Sequence, residues 1–196
     1  GEATRAPAAP LPAYIGGYSI KSAIGSGGMG TVYLAQQENP RRDVAIKVMT
    51  AGAVSRKAMR RFEFEAPTLA LLQHPAIAQV YEAGTHDDGA GGVPYFVMEY
   101  IPNAKTITEY ADDKKLGTRD RLAIFAKVCD AVQHGHLKGI VHRDLKPGNV
   151  MISKQGEVKL ADFGLAYDLS KLTHTVRQTI GGVRTSKFGI SLDDVI

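Results

Sequence analysis

The sequence predicts an α+β fold in two lobes, and two observations carry the prediction. From Tyr18 to Tyr100, short runs of β-branched and aromatic residues alternate with Gly-rich and Asn-Pro turn signals, the pattern of antiparallel strands. After Ile101 the apolar spacing changes to that of helices. The expected architecture is a five-stranded antiparallel sheet with one helix in an upper lobe, residues 18–101, followed by a helical lower lobe from residue 102.

The elements follow in order. Gly1 to Pro12 is rich in Ala and Pro without apolar periodicity, so residues 1–17 read as a linker or disordered edge. Tyr18–Ile24, Thr31–Gln36 and Asp43–Met49 read as three consecutive strands. Met59, Phe62, Leu69 and Leu72 fall at helical spacing within Ser55–Leu72, and strand patterns resume at Ala78–Ala83 and Tyr95–Tyr100. Thr118 can cap a helix carrying Leu122, Phe125, Val128 and Val132, with Lys138 as a last-turn cation and Gly139 as a left-handed stop. Two short strands, Val150–Ile152 and Val158–Leu160, flank a turn over Ser153–Gly156.

Composition narrows the function classes. The net charge of +4 comes from cations dispersed among acidic residues, with no basic run of the kind that binds nucleic acid. No apolar stretch approaches the roughly 18 residues a membrane span needs. The single cysteine, Cys129, lies in an apolar helical pattern and reads as a core thiol, which together with the absence of a pairing partner fits a reducing, cytoplasmic setting.

Three motifs carry chemistry. The first, Ile24-Gly25-Ser26-Gly27-Gly28-Met29-Gly30-Thr31-Val32, is a glycine-rich turn between strands, where backbone N–H groups can approach phosphate oxygens. Alone it also fits a plain structural turn. A dinucleotide fold is excluded because a strand, not a helix, follows, and a Walker loop because Gly30 lacks the Lys-Ser/Thr pair after it. The second motif, Val44-Ala45-Ile46-Lys47, sets a cation in an apolar strand, where it needs an anionic partner. Glu65 on the following helix is the expected partner, holding Lys47 against the α- and β-phosphates. The third, His142-Arg143-Asp144-Leu145-Lys146-Pro147-Gly148-Asn149, is followed after two short strands by Asp162-Phe163-Gly164.

These strings resemble the catalytic loop and metal-binding turn of the eukaryotic-like (Hanks-type) protein serine/threonine kinases, especially their bacterial members, over Tyr18 to Gly181. The resemblance implies ATP and Mg2+ as cofactors and a protein substrate bearing Ser or Thr. It implies that Asp144 orients the acceptor hydroxyl, that Lys146 and Lys47 neutralise phosphate charge, that Glu65 braces Lys47, and that Asn149 and Asp162 hold the metal. ATP contacts are implied for Ile24, Gly25, Gly27, Gly30, Val32, Ala45, Met98, Glu99, Ile101 and Met151, and packing roles for His142 and Phe163. Arg143 is expected to pair with a phosphorylated threonine among Thr173, Thr175 and Thr179.

Two departures from the family pattern stand out. Pro67 lies inside the helix of Glu65, where it removes a backbone hydrogen bond at a cost of roughly 3 kcal/mol. The stretch Thr179-Ile180-Gly181-Gly182-Val183 stands where the family has Gly-Thr-Pro, and no Ala-Pro-Glu follows. The lower lobe is therefore expected to be partial over residues 102–181, with a divergent tail over 182–196. A second function follows from this: a nucleotide-binding or partner-binding module with little catalysis, whose partner covers the incomplete lower lobe.

Overall fold

The computed structural model describes residues 11–28, 30–49, 69–87 and 92–163. Strands β1 (Tyr14–Ile15), β2 (Tyr18–Gly27), β3 (Gly30–Gln37), β4 (Arg42–Met49), β5 (Val80–Asp87) and β6 (Gly92–Glu99) form one antiparallel sheet in the order β1-β2-β3-β4-β6-β5. The expected five strands are all present, with ends shifted by a few residues. The sixth is β1, which lies inside the stretch expected to be a linker. Ile15 is buried there against Tyr18, Val44, Ile46 and Tyr95, so a two-residue strand is held by its side chain rather than by any readable period.

The sheet is covered on both faces. One face packs Ala45, Leu69, Val80, Phe96 and Met98 together; the other packs Ile15, Ala35, Val44, Ile46 and Val97. β4 lies between β3 and β6 and is buried on both sides, which explains its nearly continuous apolar sequence. Of the helix expected over Ser55–Leu72, only Leu69 onward is described, and Leu69 and Ala70 are helical. Pro67 and Glu65 lie outside the described residues.

The lower part begins with β7 (Lys105–Thr106) and helix α1 (Ile107–Asp113), an element not expected from the sequence. Its signal was a capping box: the Thr106 hydroxyl accepts from the Glu109 N–H while the Glu109 carboxylate accepts from the Thr106 N–H. Helix α2 (Thr118–Leu137) starts at Thr118 itself, with Gly117 as the N-cap and no side-chain cap bond. It ends as expected, with Lys138 at the C-cap and Gly139 at φ 74°. Val128, Ala131 and Gly135 form its buried stripe. Cys129 falls beside that stripe and is exposed, so it is not the core thiol expected. A 3-10 turn (Pro147–Asn149) leads into β8 (Val150–Ile152), which pairs with β7 and with β9 (Val158–Leu160) in a second, three-stranded sheet. No helix among the described residues is long and apolar enough to cross a membrane.

The two parts are joined through main chain. Leu160 N–H donates to Ala76 O (2.8 Å) and Ala78 N–H to Leu160 O (2.9 Å), so β9 runs directly beside the segment that enters β5.

Candidate functional site

Lys47 lies on β4, opposite Val32 of β3 and Phe96 of β6, and is only 5% exposed. A cation there needs a counter-charge. Its Nζ donates to Asp162 Oδ2 at 2.6 Å, joining residues 115 positions apart. Glu65, the partner expected from the sequence, lies outside the described residues, and the carboxylate described at Lys47 is that of Asp162.

Asp162 is placed by a tight local frame. Ala161 N–H donates to Asn149 O at 2.9 Å, and Ala161 O is in contact with His142 Nε2 at 3.1 Å. Because a carbonyl only accepts, Nε2 carries the proton in this contact, and the buried Nδ1 has no hydrogen-bond partner among the described residues. Burial lowers the His142 pKa below the ordinary histidine value, against the opposing pull of the Ala161 contact. Phe163 packs at 5.0 Å from the His142 ring and fits over Gly135 of α2, where a Cβ would meet Phe163 Cζ at 2.2 Å. His142 and Phe163 are thus the packing residues expected.

Asp144 sits within the same frame. Its Oδ2 accepts from Lys146 Nζ at 2.7 Å and from Asn149 Nδ2 at 3.1 Å, and Asn149 Nδ2 also reaches Asp144 O at 2.7 Å. The Lys146 bond, with that of Asn149 behind it, holds the Asp144 carboxyl below its ordinary range and therefore ionised at neutral pH. Arg143 at φ 67° and Asp162 at φ 57° are both left-handed, a conformation that costs non-glycine residues about 1–3 kcal/mol and gathers at functional sites.

The glycine-rich segment spans β2, the turn and the start of β3. Gly30 has φ 144°, and a Cβ there would lie 2.0 Å from Val48 O, so the fold itself demands glycine. Gly27 and Gly28 are different: a Cβ at either meets nothing within 4 Å among the described residues. Ile24 and Gly25 precede them on β2, with Gly25 opposite Val32. Val32 packs partly against Ala45 and Met98, which face each other across β4 and β6. Met151 lies on β8 opposite Thr106 and Lys159, half-buried, and Ile101 follows β6.

Glu99 has a role the sequence reading missed. Its carboxylate takes Lys159 Nζ at 2.8 and 3.0 Å and accepts from Gln79 N–H at 3.2 Å, while its own N–H donates to Gln79 O at 2.8 Å. The side chain therefore ties the end of β6 to β9 and to the entry of β5. An adenine contact through Glu99 cannot use that N–H. No motif contains Lys159 or Gln79, so only the fold brings them together.

Asn149 and Asp162 offer an amide oxygen and a carboxylate, the hard donors magnesium prefers. Asn149 turns its NH2 toward Asp144, leaving its oxygen as the other end of the group. Among the described residues no cluster of three or more metal-ligating side chains forms, and magnesium characteristically takes one or two protein oxygens with the rest from phosphate and water. The donor set fits.

The protein kinase domain model matches residues 18–186. The chain belongs to the protein kinase family. It is similar to serine/threonine-protein kinase PknB of Mycolicibacterium smegmatis, with 38% identity over 172 residues, covering 87% of this chain and 28% of that protein. Serine/threonine-protein kinase PrkC of Bacillus subtilis shares 38% over 169 residues, covering 85% of this chain and 25% of its own. The crystal structure of the Mycobacterium tuberculosis PknI kinase domain superposes with a TM-score of 0.68 at 32% identity, over 80% of this chain and 64% of that one. The fold is the two-lobed α+β kinase fold. The chain spans only about a quarter of the length of these curated relatives.

Proposed function

We propose that this chain is catalytic machinery of a protein serine/threonine kinase, moving the γ-phosphoryl of ATP to a Ser or Thr hydroxyl with Mg2+. The observation that supports this most is the Lys47–Asp162 pair, which puts the buried cation of the sheet and the carboxylate beyond β9 in one place. Two groups so far apart in sequence, one buried and one partly exposed, meet where phosphates and their metal require opposite charges close together.

Phosphoryl transfer needs positioning and charge more than covalent chemistry. ATP enters as substrate, with its adenine between Val32, Ala45 and Met151, and its edge along Met98 to Ile101. A Cβ at Gly27 would meet no described residue within 4 Å, and a glycine-rich turn suits close approach of phosphate to backbone N–H groups. Lys47 holds the α- and β-phosphates. Asp162 and Asn149 would hold magnesium, which would supply neutralisation of phosphate charge. Asp144, kept ionised by Lys146, accepts the hydrogen bond of the acceptor hydroxyl and aims its oxygen. Lys146 also faces the charge that develops on the transferring group.

The test is transfer from ATP with magnesium to a Ser/Thr peptide by the purified chain. Asp144→Asn should lower the rate by on the order of 100-fold or more, which also excludes a contaminating kinase. Unchanged transfer by that variant would remove Asp144 from its role.

One observation favours a second reading. Leu122 and Phe125 of α2 are 62% and 55% exposed, an apolar surface that suits a protein partner. In that reading the chain binds nucleotide and a partner and transfers little, so calorimetry detects ATP binding while the peptide assay stays near background.

A further inference from the structure

Away from Asp144, a recess of about 310 Å³ opens between α1 and the turn that joins β8 to β9. Tyr110 and Ile152 line its apolar part; Ile152 is core and Tyr110 half-buried. The Tyr110 hydroxyl lies against the turn, 3.1 Å from where a Cβ on Gly156 would be. The rim is cationic. Lys105 is paired with Asp113, but Lys114 and Lys154 are exposed, and among the described residues no carboxylate pairs with either. The lining thus joins an apolar floor to two cations from different elements, one ending α1 and the other on the β8–β9 turn.

We propose that this recess docks an acidic peptide segment carrying one large apolar side chain. The side chain rests on Tyr110, with the buried Ile152 behind it, and carboxylates on either side meet Lys114 and Lys154. An apolar anchor with flanking opposite charges gives both affinity and orientation. A basic or neutral peptide gains the anchor but loses the charge match. β8 connects the recess to Asn149, and at about 3.3 Å per residue its three residues set a separation of roughly 10 Å along the strand. A substrate docked here could therefore reach Asp144 with a hydroxyl several residues from its acidic segment. That use rests on the phosphoryl-transfer reading; docking itself does not.

Fluorescence anisotropy with the full chain and a labelled Glu-Asp-Phe-Glu-Asp peptide, without nucleotide, separates the two. The expected result is saturable binding that weakens at high salt, because exposed charges are screened beyond about 10 Å at 0.1 M. Lys114→Glu with Lys154→Glu should raise Kd at least about fivefold, and Lys114→Arg with Lys154→Arg should leave it near wild type. Arg119→Glu with Lys138→Glu, on α2 and just beyond it, makes the same change in net charge and should have little effect. Absent binding, equal loss in both charge-reversed variants, or equal affinity for Lys-Arg-Phe-Lys-Arg would overturn the proposal. Loss of phosphoryl transfer with docking intact would instead count against the catalytic reading.

Discussion

β4 and α2 are the central elements of their respective lobes, and they are secured on different terms. From Val44 to Lys47 every residue of β4 is buried, with strands hydrogen-bonded on both sides. α2 runs for 20 residues yet buries only Val128, Ala131 and Gly135, while Leu122, Phe125 and Leu137 are exposed. A strand inside a sheet is fixed by its neighbours on two edges and two faces; a helix is fixed only by the stripe it packs. Most of the groups proposed to bind nucleotide thus stand on the better-secured lobe, with Met151, Asn149 and Asp162 reaching it from below. Those proposed to orient the hydroxyl follow the less covered helix, and misplacement of about 1 Å there costs on the order of 100-fold in rate.

Substitutions can break this comparison from either side. The largest effect on stability is expected at Gly30→Ala, which forces a Cβ into Val48 O at a φ reserved for glycine. A loss on the order of 2 kcal/mol or more is expected by denaturant unfolding. A loss within about 0.5 kcal/mol would show that the β3–β4 edge yields easily.

A smaller effect is expected at the seam between lobes. Lys159→Met leaves the partly buried Glu99 carboxylate, among the described residues, with only the Gln79 N–H, and should cost about 1 kcal/mol. Lys159→Arg should recover most of it. If Lys159→Met proved neutral, the Glu99–Lys159 pair would add nothing to the Leu160 main-chain bonds and the Lys47–Asp162 pair that also cross this seam.

The smallest effect is read from pH. His142 is depressed when folded, so the unfolded chain binds the extra proton and stability falls as pH drops through the unfolded value of about 6.5. Asp144 is also depressed, so its contribution is present above the ordinary carboxylate range and is lost only as pH falls through its lower folded value. His142→Gln should therefore flatten the stability slope between about pH 7 and 5 and leave the more acidic part in place. An unchanged slope would mean that His142 takes up its proton without unfolding.

Which site residues meet was legible in the sequence where they are contiguous. His142 to Asn149 folds onto itself, so Asp144, Lys146 and Asn149 could be assigned together. Strands long enough to show a period were legible as well. What it did not disclose depends on long-range placement. Lys47 was expected to meet Glu65, which lies outside the described residues, and the pairing with Asp162 was not foreseen; Glu99 looked like a backbone contact and carries an ion pair through its side chain. Cys129 looked buried because the apolar stripe of α2 is broader in sequence than the face it packs. The capping box at Thr106 and Glu109 was readable, whereas β1, at two residues, is too short for any period.

The most direct measurement is calorimetric titration of the chain with a non-hydrolysable ATP analogue, with and without magnesium, for wild type, Asp144→Asn and Asp162→Asn. If nucleotide is held at Lys47 and Asp162 while Asp144 serves only the hydroxyl, Asp144→Asn binds within about twofold of wild type and Asp162→Asn loses the magnesium-dependent part. Magnesium-dependent binding that survives in Asp162→Asn, or disappears in Asp144→Asn, would contradict that division of roles.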